Sequence, residues 1–252
     1  MNAVPADWAK NWAKNWPKNW PRARLDFSAR ADLPEIMDDA SLDEATYADV
    51  IADLARVNTL TLARAPTLAW LRGHAPTRVA FSLLDFGFGH GDMLRAIARW
   101  TRGKGLRAEL VGIDLNPRSA PVAAAATDPG MNIRFLTGRA ETLDPPPDFI
   151  ISSLVAHHMH DDELVAFIQW MDATARVGWL INDLHRHWLA WAGFRLLALV
   201  FRWHPIVAHD GALSVRRAFT RTDWQALLAR AGVQAELRWH IPFRWTVASC
   251  AK

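Results

Sequence analysis

From about residue 78 onward, short runs of apolar residues alternate with segments in which apolar residues recur every three or four positions. Short apolar runs bounded by turn residues are typical of buried strands, whereas the longer spacing is typical of helices. We predict strands at 78–86, 110–114, 132–136, 148–152 and 177–181, and a closing hairpin at 233–239 and 243–249. We predict helices at 91–100, 121–126, 162–173, 187–202 and 220–231.

A helical pattern also precedes the first predicted strand. Over 41–71, Tyr47, Val50, Ile51 and Leu54 follow the spacing of one helix face. Alternating strands and helices predict a mostly parallel sheet with helices on both sides. The expected fold is a Rossmann-like, doubly wound α/β domain with seven strands and an N-terminal helical cap. The predicted domain organisation is a Trp-rich tail at 1–33, the helical cap at 34–76 and the main domain at 77–252.

The tail contains a tetrapeptide repeat in which tryptophan recurs every four residues from Trp8 to Trp20. Pro17 and Pro21 oppose one continuous helix over this repeat. One interpretation is a low-complexity segment with little order. The other is an interfacial anchor, because tryptophan and lysine together suit a membrane surface. Peripheral membrane contact through Trp8–Trp20 therefore stays open.

Composition and charge narrow the function classes. The 252 residues carry a formal net charge of +3, and the arginines are spread along the chain rather than clustered. This favours an ordinary solvated surface over nucleic-acid binding. The single cysteine, Cys250, excludes an intramolecular disulfide and fits a reducing compartment. The start of the chain lacks a signal-peptide pattern, and no apolar run is long enough for a membrane span, so we expect a cytoplasmic protein, with contact at the inner membrane face left open.

The most informative segment is a glycine-rich turn between the first predicted strand and the helix after it. It reads Asp85-Phe-Gly87-Phe-Gly89-His-Gly91. Glycines permit a tight turn there and a close approach of the backbone to a ligand. The dinucleotide fingerprint would require glycine where Asp92 stands, and no Lys-Ser/Thr pair follows as in a nucleotide-binding P-loop. What remains is the pattern D-x-G-x-G-x-G.

Together with Asp114 at the end of the second predicted strand, this pattern resembles class I S-adenosylmethionine-dependent methyltransferases. The resemblance implies that S-adenosylmethionine is the cofactor and that the glycine loop curls around its methionine part. Asp85 would then hydrogen-bond to the methionine part, and Asp114 would hold both ribose hydroxyls. Such an arrangement is physically sound, because a carboxylate can accept two hydroxyl donors. Leu115 would lie against the adenine.

One departure from the family pattern follows the third predicted strand. Arg139 stands where many members carry an acid that binds the adenine amino group, and arginine cannot accept a hydrogen bond. We therefore expect the adenine to be held near Ala140 or by Glu141. The cofactor-binding residues implied by the resemblance are Asp85, Gly87, Phe88, Gly89, Gly91, Asp114, Leu115, Ala140, Glu141 and Ser153.

Histidines cluster after the fourth and fifth predicted strands. The first cluster is similar to the L-x-H-x-x-x-D segment of plant-type small-molecule O-methyltransferases, which implies His157 as the base, with Asp161 following. His158 is one position away and remains a candidate, and His185 is a third, after the fifth strand. Histidine suits the removal of a proton from a phenol at neutral pH. No HxxxH or CxxC spacing appears, so no metal site is predicted.

The stretches S-S-L-x-x-H-H, I-N-D-L and D-G-x-L-S-V-R-R carry a wider resemblance, over about 34–247. It is to bacterial methyltransferases akin to those of quinone and polyketide-phenol biosynthesis. It implies methyl transfer to a hydroxyl of a hydrophobic small-molecule acceptor, a phenol or quinol. Carbon methylation of a similar ring is one alternative, and S-adenosylmethionine binding without catalysis is another. Arg216 and Arg217 are read either as steering an acidic group of the acceptor or as ordinary solvated residues.

Overall fold

The computed structural model describes residues 25–76, 80–138 and 145–250. The Trp8–Trp20 repeat and the predicted adenine contacts Ala140 and Glu141 lie outside these residues. The strands are β1 Phe81–Phe86, β2 Ala108–Asp114, β3 Ile133–Thr137, β4 Phe149–Ser153, β5 Gly178–Leu184, β6 Glu236–His240 and β7 Arg244–Cys250. The α-helices in the described segments are α1 Glu44–Leu60, α2 Ala65–His74, α3 Asp92–Gly103, α4 Ser119–Ala125, α5 Asp161–Thr174, α6 Trp188–Phe201, α7 Pro205–Arg217 and α8 Arg221–Ala231.

All seven strands form one sheet in the order β3-β2-β1-β4-β5-β7-β6. The first five strands in this order run parallel, and β7 is antiparallel to both of its neighbours. This confirms the predicted seven-stranded α/β fold. The strand order reverses between β1 and β4, and ligands bind beyond the carboxyl ends of the strands at such a point.

The sheet is covered on both faces because neighbouring residues of a strand point to opposite sides. On one face Leu84 and Ile150 join a core with Trp224 of α8. On the other face Leu83 and Phe149 belong to a second core, which includes residues of α2 and α3. The near-continuous apolar runs of the central strands reflect this burial on both sides.

One helical prediction needs correction, and one further helix was not predicted. The single pattern over 41–71 forms two helices, because the chain turns after α1 and Leu62 adopts a φ of +53°. Helix α7 was not predicted. It begins with Pro205 after the cap residue His204 and is buried on most sides, including at Asp210, so it lacks the polar face that makes a helix recognisable in a sequence.

Helices α1, α6 and α7 pack together over the carboxyl ends of the strands. Their shared core includes Val50, Ala198, Trp203 and Val207. This helical layer covers the crevice at the carboxyl end of the sheet. Within the parts of the chain that the structure describes, no helix combines the length and apolar character needed to cross a membrane.

Candidate functional site

A cavity of about 570 Å³ lies between the ends of the strands and the helical layer. It is continuous from the glycine-rich turn to the histidine cluster after β4. Its volume is in the range of small-molecule sites. The residues at the first end include Asp85, Gly87, Phe88, Gly89, Asp114 and Leu115, and those at the second include Glu35, Asp38, His157, His158 and Arg244. Two ligands can thus meet within one cavity.

The glycine-rich turn is tightly constrained. Gly87 and Gly91 both have a φ of +75°, a region that side chains disfavour. A Cβ atom at Gly87 would lie 2.4 Å from Val155 Cγ2, and one at Gly91 would lie 2.8 Å from the Phe135 ring. Gly91 is the N-cap of α3. Sterics therefore require glycine at both positions.

Asp114 ends β2 with its carboxylate held by the backbone. Its Oδ2 accepts a hydrogen bond from the Gly89 N–H at 2.9 Å, and its Oδ1 accepts one from the Asn116 N–H at 2.8 Å. Each carboxylate oxygen retains capacity for a further donor. Asp114 and the largely exposed Leu115 both line the cavity. The site thus presents an oriented double acceptor beside an apolar side chain.

Asp85 lies in the floor of the cavity and is only 1% exposed. Its Oδ2 has no hydrogen-bond partner among the described residues. Burial raises the pKa of this carboxyl well above its ordinary value, and the charges of Asp92 and Asp114 act in the same direction. A buried polar atom without a partner is costly. A cationic group of a ligand, such as an ammonium, would satisfy it.

Two further cofactor residues predicted from the sequence, Phe88 and Ser153, also line the cavity. Ser153 lines the cavity, and its Oγ lies 3.5 Å from Thr67 Oγ1. Phe88 also lines the cavity, and its ring packs against Phe135 with 5.0 Å between centroids. Gly91 contributes as the N-cap of α3 rather than as a lining residue.

At the second end, His157 and Asp183 form a buried pair. His157 lies in a short 3-10 turn, Ala156–His158, and its Nδ1 is 2.7 Å from Asp183 Oδ1. The His157 backbone N–H donates to Asp183 Oδ2 at 3.0 Å. Burial acts to raise the pKa of Asp183, but His157 and the backbone donors outweigh it and lower that pKa. An ionised partner on Nδ1 places the imidazole proton there and leaves Nε2 free to accept one.

Two further acids surround the histidines. Glu35 Oε1 lies 3.7 Å from His157 Nε2, and Glu35 Oε2 lies 3.7 Å from His158 Nε2. His158 Nδ1 lies 3.2 Å from Asp38 Oδ2. Burial acts to lower the pKa of His158, but the charges of Glu35 and Asp38 outweigh it and raise that pKa. Asp183 fixes the Nδ1 side of the His157 ring, so His157 is the better-placed candidate base.

The same residues are spaced to hold a cation. The donor atoms of Glu35, His157 and His158 lie within 4.8 Å of one another. Two imidazoles and one carboxylate are a ligand set that suits divalent transition metals. No spacing in the sequence signals this set, because Glu35 lies far upstream of the two histidines. A metal would use the same Nε2 atom of His157 that a base would use, so the two roles exclude each other.

Other sequence candidates lie elsewhere. His185 is not among the residues that line the cavity. Its Nδ1 accepts a hydrogen bond from Trp239 Nε1 at 3.2 Å, and burial lowers its pKa. Arg217 donates to the backbone oxygens of His157 and His158 and so supports the turn that carries them. Its role in the described structure is to hold that turn.

Sequence reasoning missed three residues of the acceptor end. Asp183 lies two residues before the candidate His185 in the sequence, but it was not singled out. Glu35 and Arg244 carry no motif, and the chain fold alone brings them to the cavity. A signal existed only for Asp183, as a polar residue near the end of a buried strand.

Comparison with known proteins supports the assignment of the fold. Residues 83–178 match the profile of a family described as a methyltransferase domain. This range includes the glycine-rich turn, Asp114 and His157. No curated protein sequence matches the chain.

Solved structures share the fold at low sequence identity. A SAM-dependent methyltransferase from Aquifex aeolicus matches with a TM-score of 0.56 and 15% identity, over 82% of this chain and 98% of that one. The magnesium protoporphyrin IX methyltransferase of Synechocystis, with bound SAH, gives 0.52 and 15%, over 85% and 90%. Human N-acetylserotonin methyltransferase, in complex with SAM, gives 0.58 and 16%, over 82% and 56%.

Proposed function

We propose that this protein is an S-adenosylmethionine-dependent methyltransferase whose acceptor is a hydroxyl of a hydrophobic small molecule, a phenol or quinol. The observation that carries the proposal is the single cavity. It joins the glycine-rich turn and Asp114 to the buried His157–Asp183 pair. The methyltransferase-domain match over 83–178 and the shared fold support the reaction class.

The first end of the cavity fits the cofactor. Asp114 offers two oriented acceptors for the ribose hydroxyls, and the unpartnered Oδ2 of Asp85 suits the ammonium of the methionine part. Leu115 offers an apolar surface for the adenine, and the sequence adds Ala140 and Glu141 as further adenine contacts. When bound, S-adenosylmethionine supplies an electrophilic methyl group on a sulfonium.

At the second end, His157 Nε2 takes the proton of the acceptor hydroxyl as the oxygen forms its bond to the methyl carbon. The methyl–sulfur bond breaks, and S-adenosylhomocysteine is the second product. The positive charge that His157 gains is stabilised by Asp183 on Nδ1 and by Glu35 near Nε2. Alignment of both ligands in one cavity supplies much of the remaining rate acceleration.

This proposal keeps the domain boundaries predicted from the sequence, with a cap at 34–76 and a catalytic domain at 77–252. The cap contributes Glu35 and helix α1 to the wall of the cavity. Two alternatives remain distinct. Carbon methylation of a phenol would also use a base on the hydroxyl, and a non-catalytic protein would bind the cofactor without turnover.

The test is product analysis with isotopically labelled S-adenosylmethionine and a panel of phenols and quinols. We expect the label in a methyl ether, because His157 is placed to deprotonate a hydroxyl. Mass spectrometry and NMR distinguish an O-methyl from a C-methyl product. A ring-methylated product would contradict the assignment of oxygen as the acceptor atom. Cofactor binding without transfer to any of these acceptors would favour the non-catalytic alternative.

We further propose a cytoplasmic protein that makes peripheral contact with a membrane surface. The Trp8–Trp20 repeat combines tryptophan with lysine, and helix α6 exposes apolar side chains on its outer face. Leu199 is 76% and Val200 is 64% exposed, while Gly193 and Phe194 of the same helix line the cavity. Two such signals together suit binding to an anionic surface.

Co-sedimentation with vesicles containing phosphatidylglycerol tests this contact. We expect the full chain to sediment with the vesicles and deletion of residues 1–21 to reduce the bound fraction. Leu199→Asp should reduce it further, because the substitution places a charge on the outer face of α6. Vesicle binding that is unaffected by either change would contradict the proposed contact.

A further inference from the structure

Arg244 is a buried cation that lines the cavity, and no residue in the described ranges forms an ion pair with it. It is the first residue of β7, opposite Leu184 of β5, and it is only 3% exposed. Its Nη2 donates to Thr61 Oγ1 at 3.1 Å. Within the described parts of the chain, its Nε and Nη1 have no hydrogen-bond partner.

The charge of the Asp183 carboxylate favours its ionised form. That carboxylate is already engaged, because its two oxygens accept from the His157 ring, from the His157 backbone and from the Leu184 N–H. Burial lowers the pKa of Arg244 to about 10, so the guanidinium remains charged at neutral pH. It is therefore a positive charge in an apolar wall with two donors unused.

Arg186 provides the comparison within the same chain. It is 4% exposed, yet its Nη1 donates to the Ala218 carbonyl at 2.7 Å and lies 2.9 Å from Asp223 Oδ2. Its other nitrogens donate to the carbonyls of Phe27 and Ser28. Two arginines are thus equally buried, but only Arg186 is satisfied by the protein. An unpaired buried charge is costly, and proteins normally pair or hydrogen-bond it.

We propose that Arg244 binds a carboxylate of the methyl acceptor, which makes the acceptor a hydroxylated, largely apolar carboxylic acid. This inference rests on the proposed function and adds a second recognition point at the same site. The unpartnered Nε–H and Nη1–H groups can each donate a charge-assisted hydrogen bond to a carboxylate. The surrounding wall includes Leu184 and Phe243, which suit an apolar body. The Arg244 charge takes the steering role that the sequence assigned to Arg216 or Arg217.

A carboxylate that binds Arg244 belongs either to the acceptor or to the methionine part of the cofactor. The position of Arg244 in the sheet favours the carboxylate of the acceptor. The glycine-rich turn follows β1, and β7 lies three strand positions away in the sheet order, about 14 Å at the usual strand spacing. Arg244 instead pairs with Leu184 at the end of β5, and the charge of Asp183 on the same strand end acts on its guanidinium, which places it near the base.

The test measures binding of matched ligand pairs, hydroxycinnamic and hydroxybenzoic acids against their amides, by calorimetry in the presence of S-adenosylhomocysteine. We expect the acid to bind more tightly than its amide by roughly 10- to 100-fold, as for a hydrogen bond to a charged group. Arg244→Met should abolish this preference and leave the affinity for S-adenosylhomocysteine unchanged. Methionine has a similar length and no charge, so it should also raise the thermal midpoint of the ligand-free protein.

Arg186→Met is the matched control, and it should lower the thermal midpoint because it removes a satisfied guanidinium. The proposal is overturned if no acid is preferred to its amide, if Arg244→Met keeps the preference, or if that variant fails to fold. A loss of S-adenosylhomocysteine affinity in Arg244→Met would instead assign the guanidinium to the cofactor carboxylate. The binding measurement needs no turnover. An intact acid preference without methyl transfer would therefore count against the proposed function alone.

Discussion

Replacing His157 with glutamine is expected to lower the kcat of methyl transfer by about 10²- to 10⁴-fold, the usual contribution of a positioned general base. Glutamine can still hydrogen-bond to Asp183, so the buried carboxylate keeps a partner, but its amide cannot take the proton of the acceptor. Steady-state kinetics with a phenolic acceptor measures the loss. The affinity for S-adenosylhomocysteine should stay unchanged, because His157 follows β4 and Asp114 ends β2, two strand positions away in the sheet.

His185→Gln is the control for this change. His185 is a histidine after the neighbouring strand, but its ring packs against Trp245 outside the cavity lining. We expect near-wild-type kcat for this variant. An unchanged kcat in His157→Gln would refute the assignment of His157 as the general base. Loss of wild-type turnover on chelation, with recovery on adding a divalent metal, would assign Glu35, His157 and His158 to metal binding instead.

Replacing Asp114 with alanine is expected to weaken S-adenosylhomocysteine binding by at least about 100-fold. The carboxylate is the double acceptor for the ribose hydroxyls, and each hydrogen bond to a charged group contributes about 1.5–3 kcal/mol. Alanine also removes the acceptor that holds the Gly89 N–H, so the glycine-rich turn loses one of its anchors. Isothermal titration calorimetry measures the affinity directly.

Asp128→Ala serves as the control for Asp114. Asp128 also accepts a backbone hydrogen bond, from the Gly130 N–H, but it caps a surface 3-10 turn away from the cavity. Its removal should leave the affinity unchanged. Equal affinities for the wild type and Asp114→Ala would contradict the cofactor role of Asp114.

The fold and the cofactor end were predictable because their signals are local. Burial on both faces makes the central strands continuous apolar runs. The turn at Gly87 and Gly91 needs a positive φ, and the glycines at these positions indicate it in the sequence. Helix α7 escaped prediction for the opposite reason. Its buried Asp210 and Gly211 interrupt the apolar spacing, while Asp210 accepts from the backbone N–H groups of Ile36 and Met37.

The acceptor end was only partly predictable because distant segments assemble it. His157 followed from a short motif, but its partner Asp183 lies on the next strand and Glu35 comes from before the cap helices. Arg244 depends on the antiparallel pairing of β7 with β5, which places it opposite Leu184. Such pairings arise from the tertiary fold, and no spacing in one sequence encodes them.

The most direct test of the central claim is the thermal midpoint of the wild-type chain with S-adenosylmethionine, S-adenosylhomocysteine or NAD. A ligand at 100 times its Kd adds about 2.7 kcal/mol of stability. For a chain of this size that corresponds to a rise of roughly 5–10 °C. We predict this rise with the first two ligands, no rise with NAD, and no rise for Asp114→Ala. Folded wild-type protein that shows no rise with either methionine-derived ligand would contradict the methyltransferase assignment.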